Sequence, residues 1–452
     1  MSRPARGSFQ EQEPGREPTP IVILGLAGVS LHHGALAIMR SAGRLDIPVS
    51  LLCAGPPGPV ARSRYNRHST ALAPDPDGDR TLAALHALAA GNDRPLLVAV
   101  DDASAMFLDD HGDGLSDLFR LPSQPPGLAR ALADKRSMNE LCVKHAVATP
   151  LAAFPACEAD VVEHAADARF PVVAKRIDAS RPAASAVAPN VLLAHDSEEL
   201  LAAYRALESA AAPNVMLQEH IPDAPEADWM FNGYFDRDGR CTASFTGLKL
   251  RQSPSDAGAT TLGLCQASPA LAQIARSFLA AVGYRGIVDL DFRFDRRDGR
   301  FKLLDVNPRI GSSFRLFVDE DGLDVLRALY FDLAGPPVPP VPPVPPGPPV
   351  PPGPLDRTGP PVPPDPAGPP DRTGHRAPSA SAARDGRRWL VEPQDIRSSA
   401  VLIRRRQLGF GQWLRSLRHV RELAWWTPDD PRPFFAMARL LLTARFRKLT
   451  RR

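Results

Sequence analysis

The chain has no CxxC pair, and its five cysteines (Cys53, Cys142, Cys157, Cys241, Cys265) are scattered and odd in number. That pattern excludes a zinc ribbon or a disulfide framework, and the thiols read as reduced side chains of packed cores. A charge excess is lacking too. Lys and Arg number 54 against 51 Asp and Glu, a net of +3, which is too small for the whole chain to bind nucleic acid. No window approaches the ~20 apolar residues of a membrane span, and the polar N-terminus has no signal-peptide core. These absences point to a cytoplasmic protein. A dinucleotide fingerprint is also missing: the first apolar run meets Gly25-x-x-Gly28, not GxGxxG, as a βα turn needing small residues would. No Ser–His or Cys–His arrangement calls for a covalent nucleophile. The pair His32-His33 ends the first turn and reads as a surface pair, with a place lining a cleft as the alternative.

Proline is abundant, at 50 residues, and concentrates between 336 and 370. Runs such as Pro339-Pro340-Val-Pro-Pro form polyproline II, a spacer rising ~3.1 Å per residue, or else bait for a proline-recognising module. At ~150 residues per domain the chain has room for two or three. Residues 1–18 read as a disordered tail. Residues 19–125 alternate strands (Ile21–Leu24, Val49–Cys53, Leu96–Val100) with helices, which implies a parallel α/β domain. Residues 126–335 follow an α+β pattern, 336–386 form the proline-rich linker, and 387–452 a basic, helical C-terminal segment. Its end places Arg439, Arg445, Arg447 and Lys448 among Leu440, Leu441, Leu442 and Phe446. Such a helix either docks on the protein with a solvated basic face or makes weak contact with a membrane surface.

The sharpest local signal is Val288-Asp-Leu-Asp-Phe-Arg-Phe-Asp295, a turn, then Lys302-Leu-Leu-Asp-Val-Asn-Pro-Arg309. Strand side chains alternate, so Asp289 and Asp291 share a face, as do Asp305 and Asn307, while Leu290, Phe292, Leu304 and Val306 point to a core. A three-residue loop Arg297–Gly299, or an equivalent bulge, sets Asp291 opposite Asp305 and Asp289 opposite Asn307; a two-residue turn does not. Carboxylates and an amide oxygen on one face suit Mg²⁺, which takes hard oxygens and shares them with substrate phosphates.

Leu303-Leu-Asp-Val-Asn-Pro-Arg-Ile-Gly311 resembles the closing metal motif of ATP-grasp ligases, the superfamily of D-alanine–D-alanine ligase, biotin carboxylase and carbamoyl phosphate synthase. The resemblance covers roughly 20–335 and implies a pre-ATP-grasp α/β domain followed by an ATP-grasp fold. It implies ATP and Mg²⁺ (or Mn²⁺) as cofactors, with Asp305, Asn307 and Asp291 as metal ligands; Asp305 stands where Glu is more usual. Lys135, opening a helix after Asp134, and Lys175, ending Phe-Pro-Val-Val-Ala-Lys, are similar to the two nucleotide lysines. Leu217-Gln-Glu-His-Ile221 is similar to the adenine hinge, which assigns Gln218, Glu219 and Ile221 to the base. Glu226 or Asp228 would hold the ribose, Asp228 being preferred because it begins the following strand. Lys249 and Arg251, expected on one strand face, would meet γ-phosphate and acyl-phosphate oxygens, and Arg309 the charge developing on the transferred group. The usual glycine-rich lid is replaced by a glycine-free stretch with Ser180, Arg181 and Ser185.

Within the superfamily the chain looks similar to carboxylate–amine ligases of the D-aspartate ligase type. That implies amide formation through an acylphosphate, with a small-molecule carboxylate and amine as substrates and no nucleic-acid partner. A bicarbonate-using carboxylase or carbamoyl-phosphate-type enzyme is the alternative on the same fold. A nucleotide-binding regulatory module without ligase activity is the alternative of a different class.

Overall fold

The run Ile21-Val-Ile-Leu24 is apolar on both sides, so it needs a strand covered on both faces. In the computed structural model it is β1 (Ile21–Gly25), with Ile21 and Ile23 entering one core and Val22 and Leu24 another. The structure describes residues 18–74, 77–177, 191–209, 213–254, 258–334 and 386–449, with side chains described up to 444. The N-terminal tail up to 17, the lid residues Ser180, Arg181 and Ser185, and the proline-rich stretch lie outside these.

The first unit continues with α1 (His33–Gly43), β2 (Val49–Ala54), β3 (Asn66–Leu72), α2 (Gly78–Ala89), β4 (Leu96–Ala99) and α3 (Asp102–Leu115). Its strands form a parallel sheet in the order β3-β2-β1-β4. Asp101 caps α3 by accepting from the Ser104 N–H, and its second oxygen accepts from Ala27 N–H at 2.9 Å. One carboxylate therefore both starts a helix and pins the turn after β1.

Next come α4 (Leu128–Ala133), α5 (Lys135–Lys144), β5 (Ala152–Ala153), α6 (Glu158–Asp167), β6 (Val172–Arg176), β7 (Val191–Ala194), α7 (Ser197–Leu207) and β8 (Val215–Glu219). Strands β5-β8-β6-β7 make a small antiparallel sheet whose core is shared with α6 and α7.

The large sheet is built from β9 (Asp228–Phe235), β10 (Cys241–Ser253), β11 (Ala259–Cys265), β12 (Gly286–Asp295) and β13 (Arg300–Asn307). Helix α8 (Pro269–Ala281), together with α5, packs on one face through Leu271, Phe278, Met138 and Cys142. Helix α9 (Val325–Ala334), the short turn Phe314–Leu316 and the first unit cover part of the other face through Tyr330, Phe314 and Leu36.

The C-terminal segment, expected to be helical, also supplies strands. Between them, α10 (Glu392–Arg404) and α11 (Phe410–Ser416) separate β14 (Arg388–Leu390) from β15 (Val420–Leu423), and α12 (Arg432–Leu449) ends the chain. The sheet order is β13-β12-β9-β10-β11-β14-β15. The physical reason is edge protection: β11 would otherwise present an unpaired backbone. The segment is also clasped to α1, where buried Arg40 meets Asp430 at 3.0 Å and donates to the carbonyls of Ala424 and Trp425. Among the described residues, no helix is long and apolar enough to cross a membrane.

Candidate active site

The hairpin β12–β13 places Asp291 opposite Asp305 and Asp289 opposite Asn307. The route to that register differs from the three-residue loop. Asp295 pairs with Arg300, leaving Arg296–Gly299 as a four-residue connection, and a bulge between Asp291 and Phe292 restores the register. The longer turn is held by Asp295, whose carboxylate is buried against Arg297 and Lys302 and held far below the usual carboxylate range by those hydrogen bonds.

On this polar face Lys249 of β10 reaches over β9 to Asp291 at 2.8 Å. Burial opposes the charge on Lys249, but Asp291, Asp289 and Asp228 outweigh it and raise its pKa. Asp289 is pushed up to about 7, first by burial and then by Asp291. Burial likewise raises Asp291, with Lys249 opposing. Beside Asp289 lies Asn232 of β9, fully buried, donating to Asp289 at 3.4 Å and leaving its own Oδ1 without a partner. Gly311 lies so near that a Cβ there would sit 2.6 Å from the Asp289 carboxyl carbon. Arg309 donates to Asn307 Oδ1 at 3.2 Å and to Asp102, at the start of α3, at 2.6 Å.

Two of the oxygen donors expected at a metal, those of Asp291 and Asn307, are engaged by basic side chains of the protein, Lys249 and Arg309. Among the described residues, no three His, Cys, Asp or Glu side chains gather closely enough to hold a metal ion. The donor set itself suits a hard cation: carboxylates whose burial disfavours their charge, together with an amide oxygen.

Across from these acids stand two lysines. Lys135 opens α5 directly after its cap Asp134, and Lys175 lies on β6. Lys175 is lowered to about 8, by burial first and then by the charge of Lys135, with Asp305 opposing. Neither lysine has an ion-pair partner among the described residues. Two half-buried lysines within electrostatic reach of one another are what a polyphosphate needs.

In the hinge-like segment, Gln218 is buried on β8 with its Nε2 unpartnered. Glu219 does not offer its carboxylate freely: it pairs with Arg297 at 2.5 Å and Lys302 at 3.3 Å, so its side chain secures the hairpin turn. Ile221 is buried, and its carbonyl accepts from Arg293 at 3.1 Å. Asp228 is held by the same Arg293 at 2.7 Å, whereas Glu226 is exposed and adopts φ +61°. Of the two ribose candidates, Glu226 has the freer carboxylate.

Two further expectations are overturned. Lys249 and Arg251 do not share a face, because the pairing of β10 with β11 shifts register on both sides of Arg251. The Arg251 guanidinium is buried and gripped by Asp395 of α10 at 2.7 Å, and it also donates to Ser416. His32 and His33 are not a surface pair. His32 Nδ1 accepts from Ala35 N–H, so it caps α1, while Nε2 lies 3.4 Å from Ser312 Oγ. Burial and then Arg309 lower its pKa. His33 rests against Trp389, its ring centroid 5.4 Å away, and burial lowers it to about 3. Sequence reasoning missed Asn232 and Ser312. Only the partner strand's register identifies Asn232, and only the packing of α1 identifies Ser312.

Comparison with known proteins bears on the fold. No family model matches the chain. It is 27% identical over 246 residues to a D-aspartate ligase of Enterococcus faecium (strain Aus0004), covering 51% of this chain and 57% of that protein. The chain thus spans little more than half the length of that curated relative. The L-amino acid ligase of Bacillus licheniformis superposes with a TM-score of 0.52 at 15% identity, covering 70% of this chain and 75% of that one. The biotin carboxylase domain of the Hydrogenobacter thermophilus 2-oxoglutarate carboxylase, solved with MgADP and bicarbonate, gives 0.54 at 12% identity, covering 71% of each chain.

Proposed function

We propose that this chain, which has the ATP-grasp fold, is an ATP-dependent ligase joining a small-molecule carboxylate to an amine. One observation carries the reading. A lysine lowered by burial and then by a second lysine stands within electrostatic reach of Asp305, which the hairpin sets opposite an Asp291 raised by burial. A nucleotide triphosphate with a divalent cation satisfies both halves at once.

Lys135 and Lys175 would hold phosphate oxygens, Gln218 and the Ile221 region the base, and Glu226 the ribose. Mg²⁺, or Mn²⁺ in its place, would be held by Asp291, Asp305 and Asn307, and when bound it neutralises charge on the triphosphate. In the first step a substrate carboxylate oxygen forms a bond to the γ-phosphorus as the bond to ADP breaks. In the second, the amine nitrogen bonds to the acyl carbon, phosphate leaves, and the nitrogen loses a proton. Lys249 and Arg309 stabilise charge on the transferred group by position, with no covalent nucleophile from the protein.

The relative's name gives D-aspartate as a substrate of that enzyme, and the Bacillus neighbour is named for L-amino acids. Amino acids of both hands therefore head the screen. ADP and phosphate release in their presence, with the mass of any amide product, tests the reading. Carboxylate labelled with ¹⁸O should pass one labelled oxygen to the released phosphate. ATP hydrolysis alone, or phosphate labelled only from water, rejects it.

A further inference from the structure

We propose that the C-terminal segment, between 387 and 444, is a docking surface for an anionic phospholipid bilayer. The inference is independent of the ligase reading and rests on where charge and apolar area fall. Over these residues it carries 11 Arg against five Asp and Glu, while the whole chain is only +3. All five acids turn inward. Glu392 accepts from the backbone of Trp425 and Trp426. Asp395 pairs with Arg251, Glu422 with Arg315, Asp429 with Arg44 and Asp430 with Arg40. No acid of the segment is exposed, whereas Arg404, Arg415, Arg418, Arg421 and Arg439 are.

Large apolar side chains of the same segment are exposed as well. Helix α12 docks through Met437, Leu441 and Phe434, yet Phe435 is 60% and Leu442 57% exposed on another face, with exposed Arg439 between them. Their spacing of four and then three residues makes a single stripe. Trp426, at the foot of α12, packs edge-on against Phe434 and Phe435. It also lines a groove with Leu417 and Arg421. Leu417 directly follows α11, where Phe410 is 60% and Leu414 47% exposed.

Basic charge alone would serve any polyanion. Basic charge interleaved with exposed Phe, Leu and Trp suits an interface in which the cations meet headgroups and the apolar side chains enter the acyl boundary. Trp at such a boundary places an apolar ring and a polar N–H at headgroup depth.

The test uses the full chain sedimented with phosphatidylcholine vesicles, with and without phosphatidylglycerol, at low and high salt. Expected is pelleting only with phosphatidylglycerol, weakened by salt, with a blue shift of tryptophan emission that Trp426→Phe abolishes. Arg439→Glu should weaken binding by roughly fivefold or more. Leu442→Ser should weaken it without changing the melting temperature, which keeps the test valid if Phe435→Ser disturbs the packing of Trp426. Equal partition into neutral vesicles overturns the proposal. So does binding indifferent to Leu442→Ser, or tight binding to heparin or RNA without a preference for the anionic vesicles.

Discussion

The ammonium of Lys249 lies 2.8 Å from the carboxylate of Asp291, two strands away in the sheet and reaching over β9. This pair joins the strand expected to handle the transferred phosphoryl group to the strand expected to hold the cation. Lys249→Met should therefore have two effects. ADP formation should fall by ~10²–10³-fold, as when a preorganised charge contact is removed. Stability should fall by on the order of 2 kcal/mol, because a partly buried carboxylate loses its charged partner. Adding Asp291→Asn should restore the melting temperature and not the activity.

Asp289 gives the site a pH signature. Its pKa is raised to about 7 in the folded protein, by burial and then by Asp291, so the folded state binds its proton more tightly than the unfolded chain does. Its contribution to stability is then greatest in acid and is lost as pH climbs from ~4 toward 7. Asp289→Asn should raise the stability at pH 8 by on the order of 2 kcal/mol and leave it nearly unchanged below pH 4. Melting curves across that range check it. Equal gains at both ends would contradict it.

Lys175, lowered to about 8, should be the most readily acylated lysine near neutral pH. Brief treatment with an amine-reactive anhydride at pH 8, followed by peptide mapping, should label it ahead of the exposed lysines. Mg²⁺ with ATP should protect it. Lys135→Met removes one cause of the shift and should slow the labelling.

Arg251 and Lys249, two residues apart on β10, should behave oppositely. Arg251→Met strands Asp395, which is 1% exposed, and should cost about 3–5 kcal/mol of stability. ADP formation per folded molecule should be nearly unchanged at low temperature. A loss of turnover in a fully folded Arg251→Met protein would return this residue to the reacting groups.

The hairpin was legible because strand alternation is local: Asp289, Asp291, Asp305 and Asn307 announce a shared face, and the register needed only a turn or a bulge. The parallel sheet was legible for a similar reason, since Ile21–Leu24 cannot expose either face. Arg251 was misread because a bulge shifts the alternation and nothing in the local sequence marks it. Glu219 and Asp228 look like ligand groups until Arg297 and Arg293 arrive from β12 and the turn beyond it. His32 and the C-terminal strands depend on contacts between segments hundreds of residues apart, such as Arg40 with Asp430, which no periodicity encodes.

The central claim is that Asp291, Asp305 and Asn307 on one side, and Lys135 and Lys175 on the other, form one metal–nucleotide site. Equilibrium titration of ATP, with and without Mg²⁺, into the chain and its Asp305→Asn variant measures it most directly. The account predicts ATP binding strengthened by Mg²⁺ in the unaltered chain, with that gain lost in Asp305→Asn at an unchanged melting temperature. ATP binding indifferent both to the metal and to this substitution would contradict it.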